Sequence, residues 1–153
     1  MSENSVTLSI DELPTAKGTR FGPSDWRVVT QDDVDLYARV SGDDNPIHLD
    51  AEVAAATPYG TRIAHGMLTL GLVVPLMAEV FEVTGVGMGI NYGFNRVRFP
   101  APVPVGSRIR VTGEVSDVTD VGGGWQITVP VTFEVEGNAK PAAVAELVLR
   151  YYR

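Results

Sequence analysis

The chain contains no cysteine and only two histidines among its 153 residues. The lack of cysteine excludes disulfide bonds, thiolate metal ligands and a cysteine nucleophile, and it agrees with a reducing compartment. A metal site would have to gather Asp43, His48 and His65, but the two histidines do not form the His-x-x-x-His pair of many metal sites. We therefore predict no metal.

The sequence also lacks a long apolar segment and an excess of positive charge. The longest apolar run, residues 67–81, is too short to span a bilayer and contains Pro75 and Glu79. Polar residues follow Met1 in place of a basic and apolar leader, so we expect no secretory signal. The net charge of −7 argues against general binding of nucleic acid or anionic membranes. These features predict a cytoplasmic protein with neither kind of partner.

The residue patterns predict one domain of the α+β class over residues 1–153. Residues 1–20 resemble a loosely held arm, in which Ser9 and Glu12 have capping-box spacing for one helical turn. A short strand is expected around 26–29. Four more segments are rich in β-branched and aromatic residues, and we expect them to form an antiparallel meander: 88–98, 107–118, 124–136 and 142–152.

Helix signals occupy the first half of the chain. Thr30 is a good N-cap for a helix over 31–41, and Gly42 is a natural stop. Asp50 can cap a second short helix over 51–56. The apolar run over 67–82 predicts a long helix at the centre of the protein, and we expect Pro75 to bend it or to free one carbonyl.

A carboxylate and an imidazole lie close together in the turn Ser41-Gly42-Asp43-Asp44-Asn45-Pro46-Ile47-His48. A turn through Pro46 can bring Asp43 and His48 near enough to share one water, which suits general acid–base catalysis. The alternative is that Asp43 only caps the turn and His48 only packs, since Asp, Asn and Pro are common in turns. From the residues alone, this structural alternative is the commoner case.

His65-Gly66-Met67 begins the predicted central helix. The first N–H groups of a helix lack internal partners, so the Gly66 N–H can hold a developing oxyanion. Gly66 is equally well explained as a position of close packing, and His65 as a capping or packing residue.

Four arginines form two alternate-position pairs, Arg96/Arg98 and Arg108/Arg110. Each pair shares one face of its strand, and neighbouring strands would present a basic strip suited to phosphates. A solvated sheet face explains the same pattern equally well. We retain His65, Arg96 and Arg98 as candidate substrate-binding residues.

The turn at 41–48 resembles the hydratase-2 signature of the MaoC-like dehydratase family, small-Gly-Asp-x-Asn-Pro-x-His. Ile63-Ala64-His65-Gly66-Met67 is similar to that family's entry to its central helix, and residues 90–103 resemble its nodulation-protein-N-like branch, which includes mycobacterial (R)-specific enoyl hydratases. One departure is Val74, where some members of the family carry a serine.

The resemblance implies a hotdog fold, in which a curved antiparallel sheet wraps the central helix, and a homodimer. It implies that Asp43 and His48 activate water, that the Gly66 N–H holds the thioester oxygen, and that Asn45 supports the site. The implied activity is an (R)-specific enoyl-CoA hydratase without metal or redox cofactor, in which coenzyme A or acyl carrier protein belongs to the substrate. The alternatives are a 3-hydroxyacyl carrier-protein dehydratase and a non-catalytic thioester-binding subunit.

Overall fold

The computed structural model describes residues 4–153. Its helices and strands occupy the following positions: β1 Val6–Ser9, β2 Arg20–Phe21, β3 Arg27–Val28, α1 Gln31–Ser41, α2 Pro46–Leu49, α3 Ala51–Ala55, α4 Gly66–Gly71, α5 Val73–Ala78, β4 Phe81–Thr84, β5 Met88–Arg98, β6 Arg108–Glu114, β7 Asp117–Asp120, β8 Gly124–Val135 and β9 Ala143–Tyr152. Within residues 4–153, no helix combines the length and apolar character needed to span a membrane.

The predicted caps of the early helices are confirmed. The Thr30 hydroxyl accepts the Asp33 N–H at 3.1 Å, and the Asp33 carboxylate accepts the Thr30 N–H at 2.9 Å. Gly42 ends α1 in the left-handed region, at φ 76°. The Asp50 carboxylate accepts two N–H groups at the start of α3. These local signals position the two ends of the turn that contains Asp43.

The central helix is shorter than predicted and is broken into α4 and α5 at Leu72. Pro75 has no N–H to donate to Gly71, and its ring crowds the carbonyl at that position, so the helix cannot continue straight through. The structure thus shows an interruption of the helix three residues before Pro75. The expected end at residue 82 is wrong, because the chain leaves the helix after Ala78 and residues 81–84 form β4.

The N-terminal segment is not a loosely held arm in the residues that the structure describes. Strand β1 pairs in parallel with β4, from Val6 opposite Phe81 to Ser9 opposite Thr84. Ile10 and Leu13 are buried in the core. The prediction failed because β4 lies far along the chain, and no local pattern reveals such a pairing.

The main sheet has the strand order β2-β6-β8-β9-β5, with β3 also paired to β6 and β7 to β8. Every pairing in it is antiparallel. The simple meander is wrong at β5, which lies beside β9 at the far edge. Alternate residues of β8 from Ile127 to Val135 are buried and share one hydrophobic core with residues of α5 such as Leu76. The sheet therefore covers the central helix.

The connection from β5 to β6 crosses the structure and forms one wall of the site. It is held to the segment before α4 by two backbone bonds, from the Ala64 N–H to the Val103 carbonyl and from the Val105 N–H to the Arg62 carbonyl. These bonds bring residues 99–103 against the start of the central helix.

Candidate active site

The turn after α1 is built by the short polar residues of the motif. The Asn45 side chain accepts the Ile47 N–H at 3.2 Å, and Pro46 occupies the first position of α2. Asn45 is thus the N-cap of the single helical turn that carries His48. The residue pattern alone predicted a turn here, and the resemblance implied that Asn45 supports the site.

His48 is 7% exposed. Its Nδ1 lies 2.7 Å from the carbonyl oxygen of Ile63. Because a carbonyl oxygen only accepts hydrogen bonds, this contact assigns the proton of a neutral imidazole to Nδ1 and leaves an electron pair on Nε2. The His48 carbonyl in turn accepts the Gln31 amide at 3.0 Å. The ring is therefore fixed in the tautomer that presents a base at Nε2.

The Asp43 carboxylate lies beside the two imidazoles. One of its oxygens and one ring nitrogen of each of His48 and His65 all lie within 4.8 Å of one another. A single water can bridge two acceptors at this separation with hydrogen bonds of ordinary length. Asp43 is exposed, whereas both histidines are buried, so the carboxylate lies on the solvent side of the group.

The same three side chains are the set that a metal would use. One nitrogen of each imidazole faces a backbone carbonyl, which leaves the other nitrogen of each ring for an acid–base role or for a metal. The two rings also stack, with centroids 3.8 Å apart and planes inclined at 31°. The absence of a metal stays a prediction.

A half-open cavity of about 300 Å³ lies beside His48. This volume is at the lower end of the range for small-molecule sites. The wall is mainly apolar and consists of His48, Tyr59, Ile63, Ala64, Gly66, Thr69, Phe99, Pro100, Ala101, Pro102, Val103 and Ala142.

Gly66 combines the two properties that the sequence left as alternatives. A Cβ at this position would meet ring atoms of Phe99 at 3.1 to 3.2 Å, which is tighter than ordinary contact, so packing alone favours glycine. Gly66 also lines the cavity, and its N–H donates to no backbone carbonyl of residues 4–153. Gly66 therefore both allows the close approach of Phe99 and offers an N–H without a backbone partner in residues 4–153.

Comparison with known proteins places this site in a family. Residues 12–137 match the family model described as MaoC like domain. The chain belongs to the MaoC-like family. It is 53% identical to "3-hydroxyacyl-thioester dehydratase Z" of Mycobacterium tuberculosis over 94% of this chain and 95% of the relative. It is also 38% identical to "Nodulation protein N" of Rhizobium leguminosarum bv. viciae, over 92% and 89%.

A solved structure with the same fold is the R-hydratase PhaJ1 of Pseudomonas aeruginosa, which superposes with a TM-score of 0.69 and 30% identity over 90% of this chain and 82% of that one. The MaoC-like chain therefore has the hotdog fold of this family, an antiparallel sheet around a central helix.

Sequence reasoning missed two polar residues of this MaoC-like site. Gln31 supports His48 from the first position of α1, and nothing in the sequence distinguishes it. Thr69 lines the cavity, is 1% exposed, and its hydroxyl has no hydrogen-bond partner in residues 4–153. Its signal was present, since it is a lone polar residue in the first turns of an apolar run.

The two arginine pairs do not form one strip in the MaoC-like fold. Strands β8 and β9 separate β5 from β6. Arg108 and Arg110 form ion pairs with Glu136 and Glu134. Arg96 and Arg98 line a different cavity, together with Pro130, Val131, Thr132, Val144, Ala145 and Glu146. Their role in substrate binding stays a prediction, and within one chain they lie outside the cavity of His48.

Val74, the departure from the family pattern, lies on α5 with 53% of its surface exposed. It is not among the residues that line the cavity of His48. The MaoC-like site of this chain is formed by the turn of Asp43, α2, the segment before α4, the start of α4 and the β5–β6 connection.

Proposed function

We propose that the chain is a hydro-lyase that adds water reversibly to a trans-2-enoyl thioester and forms the (R)-3-hydroxyacyl thioester. The observation that carries this proposal is the meeting of the Asp43 carboxylate and the His48 imidazole beside an apolar cavity. The names of the relatives, a 3-hydroxyacyl-thioester dehydratase and an R-hydratase, support the same chemistry.

The reaction needs one water and a group that accepts a proton from it and can then donate that proton to carbon. The water is held between Asp43 and Nε2 of His48. One member of the pair accepts a proton from the water as the water oxygen bonds to C3 and the electrons of the double bond move towards the thioester carbonyl. The pair then delivers that same proton to C2. The elements of water are added and both side chains end as they began. In this scheme the N–H of Gly66 binds the thioester oxygen, which gains negative charge as the double bond is consumed.

The direct test is the loss of enoyl-thioester absorbance when purified protein is mixed with crotonyl-CoA and, separately, with a medium-chain trans-2-enoyl-CoA. A decrease with either substrate, and a 3-hydroxyacyl product of R configuration by chiral analysis, is expected. If neither CoA ester reacts, the same assay with enoyl groups on acyl carrier protein distinguishes a carrier-protein dehydratase. No turnover on either carrier would contradict the proposal and favour a thioester-binding subunit.

We also propose that a second copy of the chain covers β5. This strand lies at the end of the main sheet, and its outer edge pairs with no other strand of residues 4–153. Met88, Ile90, Tyr92 and Phe94 on it are all substantially exposed. A long edge strand with exposed apolar side chains is unfavourable in water, and an antiparallel edge can pair with its own copy about a two-fold axis.

The expected mass in solution is twice the 16.4 kDa of one chain. Ile90→Lys places a charge on the proposed interface, and light scattering after gel filtration should then report the single-chain mass at micromolar concentration. The control is Val40→Lys on α1, since Val40 is 86% exposed but lies on a different element. A wild-type monomer, or an Ile90→Lys dimer of unchanged mass, contradicts the proposed interface.

A further inference from the structure

His65 lies at the start of the central helix, but its side chain does not cap it. The residue is the N-cap of α4, but its side chain accepts no hydrogen bond from the first N–H groups of that helix. Its ring nitrogen Nε2 instead lies 2.9 Å from the backbone carbonyl oxygen of Asp43. Since the carbonyl can only accept, Nε2 carries the proton and donates it to the turn that presents the carboxylate.

The same ring also contacts the second member of the pair. Its centroid is 3.8 Å from that of His48 and 4.7 Å from that of Tyr37. His65 is 2% exposed, and its Nδ1 has no hydrogen-bond partner in residues 4–153. A buried, partly unsatisfied imidazole is unfavourable, and simple packing would be served better by an apolar side chain.

Asp43 and His48 need a contact from outside to hold their positions, because the turn and the short helix that carry them have little stability of their own. Asp43 lies in an exposed turn, where its N–H is held by the Ser41 hydroxyl at 3.1 Å. His48 lies on α2, a helix of four residues, and one turn has little stability of its own. His65 belongs to the longer α4–α5 element at the centre of the core. Its ring contacts both the turn of Asp43 and the ring of His48.

We propose that His65 is a positioning residue that holds Asp43 and His48 at the separation the hydration reaction needs. The inference rests on the proposed function, and it assigns His65 a role different from the substrate contact expected from the sequence. The hydrogen bond fixes the turn of Asp43, and the stacked ring fixes the plane of His48. A displacement of about 1 Å between reacting groups is enough to lower a rate about 100-fold.

Two substitutions separate these contacts. His65→Phe keeps a flat ring and removes the N–H, whereas His65→Gln keeps an amide N–H of similar reach and removes the ring. We expect His65→Phe to lower kcat about 10- to 100-fold with KM changed less than about threefold, because substrate contacts remain while alignment is lost. His65→Gln should recover part of that loss. A further core variant, Leu76→Val, should lower the melting temperature and leave kcat unchanged.

Amide hydrogen exchange of residues 43–48 provides a readout independent of turnover. In His65→Phe these amides should exchange faster than in the wild type, whereas the amides of β8 should be unaffected. The positioning role is wrong if kcat of His65→Phe matches the wild type below its melting temperature, if only KM changes, or if exchange at 43–48 is unaltered. A wild-type protein inactive on every thioester, with faster exchange in His65→Phe, would remove the proposed function and leave the positioning role intact.

Discussion

Asp43→Asn is expected to lower kcat/KM for enoyl-thioester hydration by about 10²- to 10⁴-fold, the range for loss of a general acid or base. Asparagine has nearly the same shape and keeps an oxygen that can accept the Asn45 N–H, a contact of 3.4 Å in the structure. It can neither accept nor release the proton. The measurement is the initial rate of absorbance loss with crotonyl-CoA, with KM and kcat determined separately.

The neighbouring residue supplies the control for this experiment. Asp44→Asn makes the same change in charge in the same exposed turn, but Asp44 is not in the cluster with the two imidazoles. Its rate should stay within about twofold of the wild type. Equal losses in both variants would show that the turn needs charge rather than a proton-transfer group at Asp43. Full activity of Asp43→Asn would make the proposed mechanism wrong.

The parts of the fold that sequence predicted are those in which a local signal decides the structure. Thr30 and Asp33 satisfy the first amides of α1, and Gly42 provides the left-handed conformation that ends it. Asn45 and Pro46 start the next turn. Because these residues are neighbours in sequence, their order alone fixes the chain around Asp43, and the candidate pair could be predicted without knowing the rest of the fold.

The parts that sequence did not predict depend on distant partners. Strand β1 needs β4, and β5 crosses to β9, so neither position follows from the residues of the strand itself. The link from His65 to Asp43 spans 22 positions. Sequence showed that a histidine was present at the helix start, but only the packed turn shows which carbonyl it reaches.

The other large effect on kcat is expected at Gly66. Two substitutions there distinguish the role of the N–H from the role of close packing. Gly66→Pro removes the N–H at the first position of α4, a place where proline fits a helix. His65 before it has ψ 136°, which a following proline accepts. The Gly66 N–H donates to no backbone carbonyl of residues 4–153, so its removal breaks no backbone bond of the fold.

Gly66→Ala is the matched control, since it adds the same Cβ against Phe99 and keeps the N–H. The ring of Phe99 must shift by a few tenths of an ångström in both variants, because the added carbon would lie 3.1 Å from it. If the N–H binds the thioester oxygen in the transition state, Gly66→Pro should lose about 10²- to 10³-fold in kcat beyond the loss in Gly66→Ala, as when an oxyanion donor is removed. Equal kcat values in the two variants would show that glycine is needed at position 66 only for packing. The thioester oxygen would then need another hydrogen-bond donor. Thr69 lines the same cavity, and its hydroxyl has no hydrogen-bond partner within residues 4–153. It would then be the next group to remove, by Thr69→Val.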